Sequence, residues 1–107
     1  MRVCVPITAD GLVDPRWGRA DRVAVADVAA GEIRDWQEFT VAWGKLHDQG
    51  TEGAHHARVA RFLRDHQVQA IAADHIGPGM QRMLSSMAIR IVTGLGGDAR
   101  SAARAAE

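Results

Sequence analysis

Residues 68–79, VQAIAADHIGPG, indicate the class of fold. The apolar run at 68–73 predicts a short buried strand, and the polar and turn-forming residues after it end that strand. From Met80 to Met87 the apolar residues recur at helical spacing. A strand, a tight loop and a helix in this order indicate an α/β protein with parallel strands.

The same pattern continues toward the carboxyl terminus. Residues 88–93, AIRIVT, predict another strand, and the glycine-rich residues 94–97 predict a turn. Asp98 is a suitable N-cap for a final alanine-rich helix. Upstream, apolar residues at helical spacing predict a helix that begins near Ala54. The later strands therefore alternate with helices and should pair in parallel.

The amino-terminal part of the chain predicts three strands, at residues 2–7, 22–27 and 32–40. Short loops join them, so they should form an antiparallel meander, and the charges of the third strand suit a sheet edge. The predicted order of elements is β-β-β-α-β-α-β-α. We expect an α/β fold with a mixed five-stranded sheet covered by helices, in a single domain at 1–107.

Composition excludes several classes of protein. Lysine plus arginine number 13, as do aspartate plus glutamate, so net charge does not favour nucleic acid or an anionic membrane. Cys4 is the only cysteine, which excludes an intramolecular disulfide and an all-cysteine metal site within one chain. No signal-peptide pattern or apolar run of about 20 residues is present. We expect a soluble cytoplasmic protein with no nucleic-acid or membrane partner.

Residues 47–56, HDQGTEGAHH, contain three of the five histidines. His55 and His56 diverge by about 100° on a helix, so they cannot easily face one metal, although His47 could fold back across the glycines. The usual spacings of a four-ligand zinc site are absent. Two hypotheses remain open: a transition-metal site with one or two histidines and outside ligands, or a solvent-exposed loop without a role.

A second candidate segment follows the strand at 68–73, where His75 precedes Gly77 and Gly79. Open α/β sheets bind ligands beyond the carboxyl ends of parallel strands, and helix N-termini there attract anions. The glycine-rich residues 94–97 occupy the equivalent position after the next strand. These loops indicate either a shallow binding surface or only tight strand-to-helix turns.

Signatures of catalysis are sparse. The chain has no GxSxG elbow, no P-loop and no HExxH motif. A magnesium-dependent nuclease would need two or three carboxylates near the central strands, for which Asp74 is a candidate and Asp10 a weaker one. The local patterns therefore predict a binding domain rather than an enzyme.

Five motifs follow one another along the chain: VCVPI at 3–7, RWGRA at 16–20, a histidine that opens the first helix, IGPG at 76–79, and the glycines of 94–97. In this order they resemble the dinitrogenase iron–molybdenum cofactor biosynthesis family, which includes NifX-like and NifB carboxyl-terminal-like domains. The resemblance covers nearly the whole chain. Its most specific part is the WGRA segment before the second strand.

The resemblance implies a ribonuclease-H-like fold in a protein that carries a metal cluster rather than one that cleaves nucleic acid. Better-studied relatives bind iron–sulfur or iron–molybdenum cluster precursors and pass them between assembly proteins. It implies that His56 is a metal ligand. Arg16 and Arg19 would offer charge to an anionic guest, or fix the loop by hydrogen bonds. This chain departs from the family pattern where Ala57 replaces a glycine, where His75 replaces another, and where the histidine loop lacks cysteine.

We therefore expect a non-catalytic carrier of an iron–sulfur or iron–molybdenum type cluster or its precursor, acting with cluster donor and acceptor proteins as a monomer or homodimer. His56 is the expected metal ligand. A metal-free regulatory or protein-interaction module, dimerising through its exposed third strand, is the alternative, and the nuclease is a third hypothesis. The expected cofactor-binding residues are His47, His55, His56, His75, Arg16, Arg19, Gly77 and Gly79.

Overall fold

The protein is represented by a computed structural model that describes residues 1–107 and contains one five-stranded sheet with four helices. The strands are β1 (Arg2–Ile7), β2 (Arg22–Ala29), β3 (Glu32–Thr40), β4 (Ala70–Ala72) and β5 (Arg90–Val92). The helices are α1 (Trp43–His47), α2 (Glu52–Asp65), α3 (Pro78–Ser86) and α4 (Ala99–Ala105). A 3-10 turn at Trp17–Arg19 precedes β2. None of the helices combines the length and apolar character that crossing a membrane requires.

The strands lie in the order β3-β2-β1-β4-β5. The first three strands pair antiparallel, whereas β4 pairs in parallel with both β1 and β5. The expectation of a mixed five-stranded sheet is confirmed, as is the position of β3 at its edge. Parallel neighbours in a sheet need a crossover connection, and helix α3 provides it between β4 and β5.

The hairpin between β2 and β3 is held by the carboxyl-terminal residue. Ala30 and Gly31 have positive φ angles of 53° and 75°, as the two central residues of a type I′ turn do. The side-chain carboxylate of Glu107 accepts hydrogen bonds from the N–H of Ala30 (2.9 Å) and of Gly31 (2.7 Å). Glu107 therefore contacts the turn of the hairpin that carries the edge strand.

Alternation along the central strands divides the buried side chains between the two faces of the sheet. One face holds a cluster of 15 buried residues, including Trp17, Trp43 and Leu63, against which α1, α2 and α3 pack. The other face holds 13 buried residues, and α4 covers it. This second face receives small side chains from α4 and its C-cap residue: Ala99, Ala102, Ala103 and Ala106. The bulkier core thus supports the side on which the 3-10 turn and the starts of α2 and α3 lie.

Helix α1 was not expected, and with it the order becomes β-β-β-α-α-β-α-β-α. Its five residues include Gly44, and no side chain caps its N-terminus, so local helix signals are missing. Tertiary contacts hold it instead: Trp43 is buried, and its main-chain N–H donates to the carbonyl of Ala20 (3.0 Å). Strands β4 and β5 are shorter than the predicted 68–73 and 88–93, because only three residues of each form ladder pairs with the other.

Candidate functional site

A pocket of about 620 Å³ lies between the 3-10 turn, the first turn of α2 and the loop that leads from β4 into α3. Its volume falls in the range of small-ligand sites, about 300–1,000 Å³. The structure brings all the sequence-predicted site residues together here. Those eight residues are Arg16, Arg19, His47, His55, His56, His75, Gly77 and Gly79.

Only one of the two glycine-rich loops takes part in this pocket. Gly77 and Gly79 line it, whereas Gly94 and Gly97 do not. The latter two have positive φ angles of 76° and 75°, a backbone region that glycine adopts without strain. They form a tight turn between β5 and α4. For this loop the structure agrees with the second of the two hypotheses, that the glycines only make a strand-to-helix turn.

The start of α2 separates two adjacent histidines. The Thr51 hydroxyl caps this helix by accepting a hydrogen bond from the N–H of Ala54 (3.1 Å). His55 and His56 follow at once and point about 100° apart around the helix axis. One ring is therefore buried in the protein, while the other stays partly exposed at the pocket.

His55 is the buried member of the pair, with 2% exposure. Its Nε2 lies 2.8 Å from the carbonyl oxygen of Gly18, and its Nδ1 lies 3.2 Å from Nη1 of Arg58. Because the carbonyl accepts and the guanidinium donates, both bonds require a neutral ring with its proton on Nε2. Burial lowers the pKa of His55, which favours the same neutral form. His55 ties α2 to the 3-10 turn and has no ring nitrogen left for a guest.

His56 has the opposite environment. Its side chain is 24% exposed, no hydrogen bond holds its ring, and Nε2 lies 3.8 Å from Oε1 of Glu52. The ring packs close to Gly79, where a Cβ atom would lie 3.3 Å from Cε1 of His56. A side chain at position 79 would press against the ring. Glycine at this position therefore lets the imidazole approach the start of α3.

The other two histidines of the pocket differ from each other. His47 ends α1 and meets the ring of His55 edge-on, with 4.7 Å between ring centroids. Its Nδ1 is buried without a hydrogen bond, 3.6 Å from Oδ1 of Asp48. His75 is exposed in the loop after β4. One ring nitrogen of His47 thus lacks a partner, and His75 is open to solvent.

The two predicted arginines are held differently. Asp14 is buried and accepts hydrogen bonds from the main-chain N–H (3.0 Å), Nε (3.2 Å) and Nη2 (3.2 Å) of Arg16. Its hydrogen bond and charge raise the pKa of Arg16. Arg19 has only an exposed ion pair with Asp48, at 3.6 Å, which holds it weakly. Arg16 is therefore fixed and partly neutralised, whereas Arg19 is free to turn toward a guest.

Three further side chains of the pocket carry polar atoms but were not among the expected site residues, namely Trp17, Glu52 and Arg82. Trp17 is 3% exposed, and its indole Nε1–H is buried without an acceptor. Arg82 forms no ion pair with the protein, and Glu52 is the only carboxylate of the lining. Helical spacing was the available signal, because Glu52 precedes His56 by four positions and Arg82 follows Gly79 by three.

The pocket does not provide the ligands of a closed metal site. Cys4 is buried in β1, and that burial raises the pKa of its thiol. The chain contains no group of three His, Cys, Asp or Glu side chains placed to hold a metal ion, so Asp10 and Asp74 join none. A cysteine-bound cluster or a four-ligand zinc site does not fit these residues. A guest that brings its own ligands and takes one or two contacts from the protein does fit.

Three solved structures share this fold. The crystal structure of PH0822 has 21% identity and a TM-score of 0.77, covering 98% of this chain and 88% of that one. The apo form of the orange protein from Desulfovibrio gigas has 24% identity and a TM-score of 0.73, covering 94% and 82%. The NMR structure of a NifB-like protein from Thermotoga, described as a member of the DUF35 family, has 22% identity and a TM-score of 0.62, covering 94% and 82%.

No curated protein shows a significant sequence match to the chain. The sequence model of the family described as "Dinitrogenase iron-molybdenum cofactor" matches residues 1–107. This match confirms the resemblance that the ordered motifs, including WGRA and IGPG, indicate. The chain belongs to the dinitrogenase iron–molybdenum cofactor family.

Proposed function

We propose that this protein is a non-catalytic carrier of an anionic iron–sulfur or iron–molybdenum type cluster, or of its precursor, held in the pocket. Membership of the family connects the chain with the biosynthesis or carrying of the iron–molybdenum cofactor. The composition of the pocket supports a carrier, because the lining offers positive charge, N–H donors and imidazoles but no thiolate.

The charge of the lining is the observation that carries the proposal. Arg16, Arg19 and Arg82 line the pocket with a single carboxylate, that of Glu52. Of the three guanidinium groups, only that of Arg16 is firmly paired within the protein. Hydrogen bonds between a guanidinium and an anion are about twice as strong as neutral ones. The pocket therefore favours an anionic guest over a cationic one.

Unpaired N–H groups add to this preference. Pro78 occupies the first position of α3, and the N–H groups of Gly79 and Met80 have no carbonyl partner in the first turn. The N-terminus of this nine-residue helix also carries a partial positive charge. The buried Nε1–H of Trp17 lacks an acceptor as well. Sulfide or thiolate ligands of a cluster would supply acceptors to these donors.

We assign His56 as the metal ligand of the carrier. Its ring lies at the pocket, is partly exposed and makes no hydrogen bond within the protein. A carrier must release its cargo, and one imidazole permits release by ligand exchange when the cargo brings its remaining ligands. His55, in contrast, positions the pocket wall through its bonds to Gly18 and Arg58.

Cargo exchange requires other proteins, and we propose a cluster donor and a cluster acceptor as partners in the cytoplasm. The orange protein, whose structure was solved in the apo form, shares this fold. We also propose that the fold is ribonuclease-H-like. The strand arrangement supports this classification, because the antiparallel strands β1, β2 and β3 lie beside the parallel strands β4 and β5.

The test is an anaerobic titration of the protein with a preformed, thiolate-ligated 4Fe–4S cluster, followed by absorption and by co-elution in gel filtration. The wild type should take up the cluster with a charge-transfer band that changes when His56 binds. His56→Ala should lose that change and bind more weakly. His66→Ala is the matched control, since His66 packs against Phe39 and Phe62 and lies outside the pocket.

Two outcomes would contradict the proposal at different points. Identical spectra and affinities for the wild type and His56→Ala would remove His56 as a ligand. No uptake by the wild type would contradict the carrier function and favour the metal-free interaction module, for which β3 presents an open edge.

A further inference from the structure

Glu52 is the one carboxylate among the side chains that line the pocket, where it accompanies three arginines and four histidines. It begins α2, its side chain is 79% exposed, and Oε1 lies 3.8 Å from Nε2 of His56. A carboxylate in this position opposes the entry of an anion. Its presence at an otherwise cationic site therefore needs a physical explanation.

Three side chains converge near Gly79 at the start of α3. The point that a Cβ of residue 79 would occupy lies 3.3 Å from Cε1 of His56, 3.8 Å from Nη2 of Arg82 and 4.0 Å from Oε1 of Glu52. Arg82 has no ion-pair partner, and the N–H of Gly79 has no carbonyl acceptor. The carboxylate of Glu52 thus lies beside the same groups that a bound anion would contact.

We propose that Glu52 is a built-in competitor of the cargo. Its carboxylate partly neutralises the end of the empty pocket that His56 and Arg82 form, and it repels an anionic cluster that enters beside it. This inference rests on the proposed carrier function. The like charge weakens binding, so the cluster remains exchangeable and can pass to an acceptor. A carboxylate would instead strengthen the binding of a bare cation. The direction in which the affinity changes when the Glu52 charge is removed therefore also reports the sign of the cargo's charge.

A purely structural role for Glu52 is distinguishable from this one. An acid in the first turn of a helix interacts favourably with the helix dipole, and α2 begins at Glu52. That role would change the unfolding midpoint of the protein but not its affinity for a cluster. Thr51 already caps this helix, so removal of the Glu52 charge should leave α2 in place.

The experiment compares Glu52→Gln with Glu32→Gln, which makes the same change in net charge on β3, outside the pocket. Each protein is titrated anaerobically with the dianionic tetrathiolate 4Fe–4S cluster, and release to an excess of competing thiol is timed. At a separation of about 6 Å and a solvent-like dielectric, one unit of cargo charge changes the affinity about threefold, and a dianion about tenfold. His56 replaces one thiolate, which is released to solvent, so the bound cluster keeps one negative charge. Glu52→Gln should therefore bind about threefold more tightly and release more slowly, and high salt should reduce the difference.

Each other outcome has a defined meaning. If the wild type binds the cluster but Glu52→Gln binds it equally or more weakly, the competitor role is wrong while the carrier function stands. An equal gain in Glu32→Gln would show a general effect of net charge and would also overturn the role of Glu52. If the wild type takes up no cluster, the carrier function fails, and the inference fails with it.

Discussion

Replacement of Gly44 by alanine should destabilise the protein, although the residue lies within a helix. A Cβ atom at position 44 would lie 2.5 Å from the main-chain carbonyl oxygen of Arg19, closer than real Cβ atoms approach. Neither partner is the end of a flexible side chain, so α1 or the 3-10 turn must move. Overpacking of this kind costs about 1–3 kcal/mol.

Helix propensity opposes this effect but is smaller. Alanine is favoured over glycine by about 1 kcal/mol in the interior of a helix, and Gly44 lies in the first turn of a helix of only five residues. The steric cost therefore exceeds the gain. We expect a net loss of up to about 2 kcal/mol in the free energy of unfolding. A loss of about 1 kcal/mol lowers Tm by about 4–8 °C in a domain of this size.

Urea denaturation followed by tryptophan fluorescence measures this loss, and Gly53→Ala is its matched control. Gly53 also lies in the first turn of a helix, but the nearest atom to its Cβ position is Oγ1 of Thr51, at 4.0 Å. Gly53→Ala should therefore stabilise the protein by up to about 1 kcal/mol. If Gly44→Ala were as stable as the wild type, the close contact between α1 and the 3-10 turn would be wrong.

Three further predictions concern the pocket wall. His55→Leu should lower the free energy of unfolding by about 1–3 kcal/mol in urea denaturation at neutral pH, because the Gly18 carbonyl and Arg58 lose their partner. Burial lowers the pKa of His55 in the folded protein below its ordinary 6.5, so the unfolded state binds more protons. The stability that the neutral ring contributes is therefore complete above about pH 6.5. It decreases as the pH falls from about 6.5 through the folded pKa. Denaturation curves between about pH 7 and about pH 5 should therefore show a steeper loss for the wild type than for His55→Leu, and equal slopes would exclude His55 as the titrating group. Trp17→Phe should lower the free energy of unfolding by about 0.5–3 kcal/mol, because Trp17 is buried against Trp43. It should also weaken cluster binding about two- to tenfold in the anaerobic titration, since it removes a donor that has no acceptor in the free protein.

The parallel half of the fold could be predicted because its signals are local. The apolar run at 68–73, the turn residues after it and the helical spacing that follows all occur within a short segment. The pairing of β4 with β1 and β5 confirms the expected parallel strands. Helix α1 could not be predicted in this way, because burial of Trp43 and its bond to a distant carbonyl hold the helix in place.

The position of the site could also be expected, since strand ends and helix starts meet there. The hydrogen-bond partner of each polar side chain could not be predicted from the sequence. Asp14 looks like a turn residue in the sequence, yet it is buried and holds Arg16. His55 and His56 are adjacent and of the same type, and only packing against the 3-10 turn makes one a positioning residue and leaves the other open.

The most direct test of the carrier pocket is an NMR titration of the ¹⁵N-labelled apo protein with the same 4Fe–4S cluster under anaerobic conditions. We expect shifted or broadened signals from the amides of residues 17–19, 52–56 and 77–80, together with the indole N–H of Trp17. Amides of α4, which packs on the opposite face of the sheet, should not change. A response centred on the outer face of α2 around Arg61, or no response at any residue, would contradict the account.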